Sequence, residues 1–499
     1  MNDFSPSCSC ARLVTAGLLL VLFSGCATFR SYDSEMTKTI NFAAAGDVDG
    51  AIKQLERNNR TTHKDLLYYL ELGELQRLNR RYEESEKAWL EADGHVLAWE
   101  KAALVNPENL LGSVTSAVLN DKTLPYEGHD YEKVMLTTRL ALDRLARGDF
   151  DMARIDIKRT HEREAVIAEL RRKEQQKTEE EARKRGVKSS FKELNGYPVQ
   201  TIDSPEINAL KNSYESAFSH YLAGFVYEAL GEPSLAAAGY RHAIELQPNR
   251  PQLEDALAQL DARVAGRADG YTDVLFVIES GTVPARQSRQ FNLPFPYQGR
   301  LLIVPVSFPV IAPTQPPFIP EQLQISGEAP VSISTTVITS LDLMARKALQ
   351  EEMPGTVLRG MIRSSTKAVA QYQAGKNDQS GLVGLAMALG SVVTESADER
   401  GWRALPSQIA IARARIPSGE HTIMLQTPEG VRSTQVNLAG HYAVVGLRLL
   451  RQTLFVQAAQ GAGLADGQHS SKSQAEPTMS TGGRSETLEQ QPQPRESSK

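Results

Sequence analysis

Residues 217–250 read AFSHYLAGFVYEALGEPSLAAAGYRHAIELQPNR, and this stretch decides the fold of the N-terminal half. Its pattern predicts two short helices joined by a turn at Gly231-Glu232-Pro233. Small residues such as Gly224 recur where two helices must approach closely, and Tyr240 fills the space between them. Pro248 ends the second helix because proline lacks the backbone N–H that a further helical turn needs.

This order of small, aromatic and proline positions resembles the tetratricopeptide (TPR) repeat, a helix–turn–helix unit of solenoid proteins. Weaker copies surround Gly46-Asp47, Tyr82 and Gly148-Asp149, and Ala51 lies 34 residues before Ser85, which is one repeat period. Four units satisfy the minimum of about three stacked repeats. The resemblance implies an all-α, TPR-like solenoid over residues 36–262, which binds a protein partner.

Residues 161–184, HEREAVIAELRRKEQQKTEEEARK, continue the second helix of the third unit with a dense run of charges. We expect a long, projecting, solvated helix stabilised by charge pairs four residues apart. A partner-binding coiled coil is the alternative, although no sustained apolar stripe supports it.

The hydrophobic period changes after Gly270. Residues 273–279, DVLFVIE, are apolar and rich in β-branched side chains, which predicts a buried strand. Similar runs recur up to residue 450 around one helical stretch. We therefore expect a multidomain chain, in which the solenoid is followed by an α+β domain with an antiparallel sheet at residues 271–456. Residues 457–499 lose apolar content and are expected to be disordered.

Residues 381–393, GLVGLAMALGSVV, form an apolar run inside the α+β region. As a helix it would extend roughly 20 Å, which is too short for a hydrocarbon core of about 30 Å. A buried helix with small-residue packing is expected. A membrane-contacting or partner-docking segment is the alternative.

The N-terminus indicates the cellular compartment. An apolar run from Leu13 to Phe23 precedes Ser24-Gly25-Cys26, which is typical of a secretory signal at residues 1–25. A cysteine directly after Ser-Gly resembles the lipobox of bacterial lipoproteins, and the resemblance implies lipidation of Cys26 and a tether at residues 26–35. Ala27, where inner-membrane lipoproteins tend to have Asp, implies the outer membrane, most simply facing the periplasm. An ordinary signal peptide cut near Ala27 is the alternative.

Three further stretches look like a family of uncharacterised bacterial TPR-containing lipoproteins. They are residues 125–159, residues 279–287 (ESGTVPARQ) and residues 397–409 (ADERGWRALPSQI). The resemblance implies no enzymatic activity and no catalytic residues. It also implies association with other envelope lipoproteins, including activators of peptidoglycan synthases.

Composition and motifs indicate no catalytic chemistry. A net charge of −5 over 499 residues gives no electrostatic footprint for nucleic acid. His161-Glu162-Arg163-Glu164-Ala165 begins like the zinc-protease motif HExxH but has Ala165 in place of the second histidine. The other histidines are far apart in the sequence, so we predict no metal and no cofactor.

Four residues are candidates for partner binding. Arg144, Arg154 and Lys158 surround the third repeat and could line a concave groove that holds an acidic peptide tail. A solvated charged face is the alternative for these three. Trp402, between Arg400 and Arg403, fits an exposed anchor in a binding surface, or a buried residue that closes the β region.

These observations favour a lipid-anchored, non-enzymatic envelope scaffold whose solenoid binds a protein, in the assembly of the cell envelope and its peptidoglycan. The main alternative is an assembly lipoprotein of a secretion or polysaccharide-export machine. The enzyme-class alternative is a peptidoglycan-acting hydrolase in the C-terminal domain, with its site near Trp402 or Arg359.

Overall fold

The computed structural model describes residues 31–105, 125–186, 189–267, 269–297, 300–327, 330–377 and 396–458. Cys26, the predicted signal peptide, the apolar run 381–393 and the tail from residue 459 lie outside these residues. Residues 457 and 458, which we expected in the disordered tail, belong to the last strand. Within the described ranges, no helix is long and apolar enough to span a membrane.

Twelve α-helices occur in the described residues. They are α1 (Tyr32–Ala44), α2 (Val48–Asn58), α3 (Leu66–Leu78), α4 (Tyr82–Val105), α5 (Asp130–Ala146), α6 (Phe150–Arg185), α7 (Pro205–Asn208), α8 (Ala217–Ala229), α9 (Pro233–Leu246), α10 (Pro251–Ala258), α11 (Leu260–Ala265) and α12 (Leu341–Asn377). The first six and then α8 and α9 form four pairs, each joined by a short turn. Glycine takes the positive φ in three of these turns, and Arg80, with φ of 57°, takes it in the turn between α3 and α4.

Two of the helix pairs share one packing arrangement. A Cβ atom added to Gly73 would lie 2.2 Å from Nε1 of Trp89, and one added to Gly224 would lie 2.5 Å from Cδ1 of Tyr240. In both pairs the aromatic residue follows the glycine by 16 positions. The predicted fit of small against aromatic residues is therefore present, while the assignment to the TPR class stays a prediction.

Helix α6 runs on past the third unit, and it has the predicted charge pairs four residues apart, such as Glu169–Lys173 and Glu181–Arg185. It is not solvated on all sides, however, because one stripe of it is buried. Ile167, Leu170, Thr178 and Ala182 are buried along its length. Arg171, in its middle, donates to a carboxylate oxygen of Asp130 at 2.9 Å. The charged composition of this helix hid a narrow buried stripe that packs against α5, α8 and α12.

Eleven strands follow in the described residues. They are β1 (Tyr271–Ser280), β2 (Arg286–Tyr297), β3 (Arg300–Ile311), β4 (Gln322–Ser326), β5 (Val331–Ser334), β6 (Thr336–Ser340), β7 (Gln408–Pro417), β8 (Gly419–Thr427), β9 (Gly430–Leu438), β10 (Tyr442–Leu450) and β11 (Thr453–Ala458). They form a sheet of order β11-β10-β1-β7-β6, here called the central sheet, a β2-β3 ribbon, and an outer sheet of order β5-β4-β8-β9.

The central sheet is mixed, so the prediction of an antiparallel sheet holds only in part. β1 pairs with β10 in parallel, with Asp273 opposite Tyr442, and with β7 in the antiparallel direction. Alternating hydrophobicity identifies a strand and its two faces but carries no information on its direction. The parallel pair joins segments far apart in the chain, which local patterns cannot encode.

The two faces of the central sheet pack against different layers. Val274, Phe276 and Ile278 face a core shared with the outer sheet, whereas Leu275 and Val277 belong to a core shared with the helices. This alternation is the two-residue period of a strand. The molecule is thus layered as helices, central sheet and outer sheet.

The sheet and α12 cover the inner helices. All 17 residues of α5 are buried, as are twelve of the thirteen in α8. One hydrophobic core contains side chains from both helices, from β1 and β7, and from α12. The faces of α5 and α8 that turn towards the sheet are therefore covered by the chain's own C-terminal region.

A charged cluster lies buried where helices α3 and α5 meet the central sheet. We call it the buried arginine network, and its members are Arg77, Glu74, Arg139, Asp143, Glu279 and Arg448, all at most 1% exposed. Arg77 Nε lies 3.1 Å from Asp143 Oδ1, and Arg139 forms a close ion pair with Glu279. The network sets three carboxyl groups against three arginines, and burial raises the pKa of one of these groups, Asp143, to about 7.

Candidate binding cleft

The structure does not support Arg144 as a partner-binding residue. Its guanidinium is buried, with Nε 2.6 Å from Asp156 Oδ2 and Nη1 3.0 Å from Glu86 Oε1. Two carboxylates already bind this cation. Arg144 therefore holds α4, α5 and α6 together and presents no free charge to a ligand.

Arg154 and Lys158 bind carboxylates at separate places. Arg154 Nε donates to both carboxylate oxygens of Glu232 at 3.0 Å, and Lys158 lies 3.6 Å from Glu162 one turn further along α6. Lys158 is well exposed, which agrees with the solvated charged face that we gave as the alternative. The described structure does not gather the three predicted cations into one groove.

Trp402 is fully buried, so the prediction of an exposed anchor is wrong. Its ring packs edge-on against Trp89 with 6.0 Å between the centroids, and its backbone N–H donates to Glu132 Oε1 at 2.7 Å. Glu71 accepts from the next two residues, Arg403 N at 2.6 Å and Ala404 N at 3.0 Å. These two buried carboxylates fix the loop to helices α3 and α5.

An open cleft of about 500 Å³ lies between the C-terminal end of the helices and the central sheet. We call it the junction cleft. Helices α10 and α11 form one wall, and the starts of β1 and β10 with the end of β7 form the other. Its charged and aromatic lining residues are Tyr221, Asp255, Arg263, Arg267, Tyr271, Asp273, Arg413, Arg415, His441 and Tyr442.

The base of the junction cleft is an ion cluster around Glu228. Arg413 Nη2 lies 2.7 Å and Arg263 Nε 2.8 Å from Glu228 Oε1, and Tyr240 Oη donates to Oε2 at 2.6 Å. Arg413 also forms a two-pronged contact with Asp273 at 2.7 and 2.9 Å. Parallel contacts of this kind fix the guanidinium plane, so the base of the cleft is rigid.

Electrostatics keep Glu228 ionised at the base of the cleft. Burial alone would raise the pKa of this carboxyl, but the hydrogen bond from Arg263 and the charge and hydrogen bond of Arg413 outweigh it. The pKa falls from 4.5 to about 2. Glu228 and Asp273 together therefore neutralise the two innermost arginines.

The two outer arginines are different. Arg267 lies over the ring of Tyr442, 5.2 Å from its centroid, and Arg415 lies over the ring of Tyr271 at 5.5 Å. Arg267 also donates to the carbonyl oxygen of Glu228 at 2.7 Å. Among the described residues, neither guanidinium has a carboxylate within ion-pair distance. Arg415 is held over an aromatic face while its donors stay available to an anion. Arg267 is held in the same way, but its Nη2 already donates to the backbone carbonyl oxygens of Glu228 and Ala229.

Sequence analysis missed these residues, although their spacing carried a signal. Arg413 and Arg415 alternate along β7 and so share one face of the sheet. Arg263 lies on α11, and Arg267 follows two residues after that helix ends at Ala265. The sequence could not predict that α11 and β7 lie side by side, because β7 follows the helix by some 150 residues.

A second group of polar side chains bears on the expectation of no metal. His161 and Glu164 on α6 and His220 on α8 place their ligand atoms within 4.8 Å of one another. The argument that the histidines are far apart holds for the sequence but not for the fold. Helix packing supplies the second imidazole that Ala165 does not.

No protein-family model and no curated protein sequence matches this chain. The resemblance to bacterial TPR lipoproteins therefore stays a prediction from the quoted motifs. The function has to be argued from the chemistry of the junction cleft and from the Cys26 motif.

Proposed function

We propose that this chain is a lipid-anchored, non-enzymatic scaffold of the bacterial envelope, and that it binds an acidic segment of a protein partner in the junction cleft. The observation that carries this proposal is the pair of outer arginines, Arg267 and Arg415. Both have donors free of carboxylates among the described residues, and both are held over tyrosine rings.

The chemistry of the cleft favours carboxylates on an extended peptide. A planar guanidinium binds a carboxylate through two parallel hydrogen bonds. The cleft's volume of about 500 Å³ admits a few side chains but no folded domain. Gln252, Gln259 and Ser334 add polar groups to the lining that can bond a peptide backbone. A segment with two or more Asp or Glu residues fits both the charge and the space.

The location of the cleft explains how a scaffold of this fold can bind a partner. The inner faces of the helices are covered, and Arg144 is neutralised within them. The junction between α10, α11 and the central sheet leaves cations exposed instead. The sequence predicted an acidic peptide as the ligand, and this proposal keeps that ligand. It places the binding site in the junction cleft instead of beside the third repeat.

The envelope location is part of the proposal and depends on the motif at Cys26. By the family resemblance, partners in peptidoglycan assembly come first, with export machinery as the alternative. A hydrolase with its site near Trp402 would need acidic catalytic groups there, and two carboxyl groups lie beside this residue. Glu71 and Glu132 accept backbone hydrogen bonds there, and we assign them a role in holding the loop.

A site-specific crosslink in the native host tests the partner. A photo-reactive amino acid at Gln252, in the wall of the cleft, should crosslink an envelope protein through an acidic segment that mass spectrometry can map. The crosslink should be lost in the Arg267→Ala/Arg415→Ala double variant and retained in Arg60→Ala. Arg60 is an exposed arginine in the loop between α2 and α3.

The outcomes separate the possible functions. A crosslink to peptidoglycan synthases or their activators supports the leading proposal, and one to export components supports the alternative. A crosslink that is unchanged in the double variant contradicts the cleft as the binding site. Incorporation of labelled palmitate should disappear in Cys26→Ala, and persistent label contradicts the lipid anchor.

A further inference from the structure

Helices α6 and α8 bring metal-ligating side chains together at the boundary between the third and fourth helix pairs. His161 and Glu164 are three positions apart on α6, so they project from the same face of that helix. His220, in the first turn of α8, packs against them, and its ring stacks on that of His161 with 4.9 Å between centroids.

The spacing of the ligand atoms suits a single ion. Nε2 of His220 lies 3.3 Å from Oε2 of Glu164, and the ligand atoms of all three residues lie within 4.8 Å of one another. In a tetrahedral zinc site with bonds of about 2.0–2.1 Å, neighbouring ligand atoms are roughly 3.3 Å apart. Small side-chain rotations therefore bring these three atoms onto one ion.

The same three side chains have polar atoms without hydrogen-bond partners. Nε2 of His161, Nε2 of His220 and Oε1 of Glu164 are buried atoms with no hydrogen-bond partner among the described residues. His220 and Glu164 are only 5% and 6% exposed. Buried polar atoms are normally paired, and an ion is one of the explanations for those that are not.

We propose that His161, Glu164 and His220 bind a divalent transition-metal ion, with zinc the best match. Two imidazole nitrogens and one carboxylate oxygen are ligands that zinc accepts, and three protein ligands leave a fourth position for water or another ligand. His161 is only partly buried, which gives the ion a path from solvent. The bound ion would tie α6 to α8.

Two neighbouring residues support the ligands. The ring of His242 packs edge-on against His220 with 4.1 Å between centroids, and its Nε2 lies 3.0 Å from Glu215 Oε1. Its other ring nitrogen lies 3.2 Å from Glu245. His242 already has partners at both nitrogens, so we assign it the role of holding the His220 ring in place.

Metal titration of the full-length chain in detergent, without a histidine tag and after treatment with a chelator, tests the proposal. The wild type should bind one Zn²⁺ per chain in competition with a chromogenic chelator, and Co²⁺ should give visible absorption bands of a protein-bound site. His161→Gln and Glu164→Gln should each weaken the binding of Zn²⁺ by at least about tenfold. His63→Gln, at an exposed histidine outside the cluster, should bind like the wild type.

Two results overturn the proposal. One is failure of the wild type to bind Zn²⁺ or Co²⁺ at micromolar concentration. The other is equal binding by the wild type and His161→Gln. Because His161 is partly exposed, this variant should keep its fold, which circular dichroism checks. Neither result affects the junction cleft, because the two sites share no residue.

Discussion

The two ends of one sheet face use arginine in opposite ways. On the helix-facing side of the central sheet, Glu279 and Arg448 are paired neighbours at one end, within the buried arginine network. Asp273, Tyr442 and Arg415 are neighbours at the other end, in the junction cleft. The network is buried and sets three carboxyl groups against three arginines, whereas the cleft is open and has two outer arginines without carboxylates among the described residues.

The difference follows from the cost of burying charge. A charge removed from water must be matched by an opposite charge with good geometry. Arg77 and Arg139 are matched by carboxylates within 3.5 Å, and Arg448 donates to the carbonyl oxygen of Ala404. At the cleft, water solvates Arg415 and its tyrosine holds it in place, so no acid is needed. The closed end joins the helices to the sheet, and the open end remains available for a ligand.

Breaking the closed end should have the largest effect on stability. Glu279→Gln removes one charge from the network, which leaves Arg139 and Arg77 buried without their common carboxylate. Removing one partner of a buried ion pair typically costs about 3–5 kcal/mol. Urea unfolding of the variant, followed by circular dichroism, should show a loss of that size.

An exposed pair provides the matched control for this comparison. Glu162→Gln removes the partner of Lys158, and both side chains are more than 60% exposed. Exposed pairs contribute about 0–1 kcal/mol, so this change should be nearly neutral. Equal losses in the two variants would show that the buried network does not stabilise the fold.

Glu228→Gln should have the second largest effect and should alter the dependence of stability on pH. The pKa of Glu228 is about 2 in the folded chain, whereas a glutamate without these partners has a pKa of 4.5. The unfolded chain therefore takes up the proton first, and the stabilisation present above about pH 4.5 is lost as pH falls towards 2. A shift of this size corresponds to roughly 3 kcal/mol.

The measurement is the free energy of unfolding between pH 2 and pH 7. Glu228→Gln should be less stable at pH 7 and should lose less stability than the wild type below pH 4.5. Tyr442→Phe removes only a 3.3 Å hydrogen bond to Glu228 and keeps both arginines, so it should keep the wild-type profile. Parallel profiles for the wild type and Glu228→Gln would contradict the assignment.

Local features of this fold could be predicted from the sequence. The predicted turn at Gly231 is present, with a φ of 75° at that glycine, and β1 covers the predicted strand 273–279. The same run contained a clue that we did not use. Glu279 continues the alternation of the helix-facing residues Leu275 and Val277, which indicates a buried carboxylate in need of a cation.

The long-range features could not be predicted. Arg77 and Arg139 reach Glu279 from two different helices, and Arg448 lies opposite it on the neighbouring strand. His220 stacks on His161 across a helix–helix contact. Neither contact corresponds to a repeat or to a fixed spacing in the sequence. For Trp402 the sequence left an exposed and a buried position open, and its contact with Trp89 decides for the buried one.

The smallest effect on stability, with the largest effect on binding, is expected at the open end. Arg415→Ala removes an exposed guanidinium and its contact with Tyr271, which should cost about 0.5–1 kcal/mol at most. Arg415 forms no ion pair with a described carboxylate, so no buried charge is left behind. Urea unfolding should therefore distinguish it clearly from Glu279→Gln.

Binding of a fluorescein-labelled hexaglutamate peptide completes this test. Fluorescence anisotropy should show weaker binding in Arg415→Ala by at least about tenfold, since a hydrogen bond to a charged group contributes about 1.5–3 kcal/mol. Binding to the wild type should weaken with added salt because the exposed charges are screened. Glu162→Gln should bind the peptide like the wild type. If Arg415→Ala loses stability but keeps its affinity for the peptide, the proposal is contradicted. Arg415 would then stabilise the fold and would not bind the ligand.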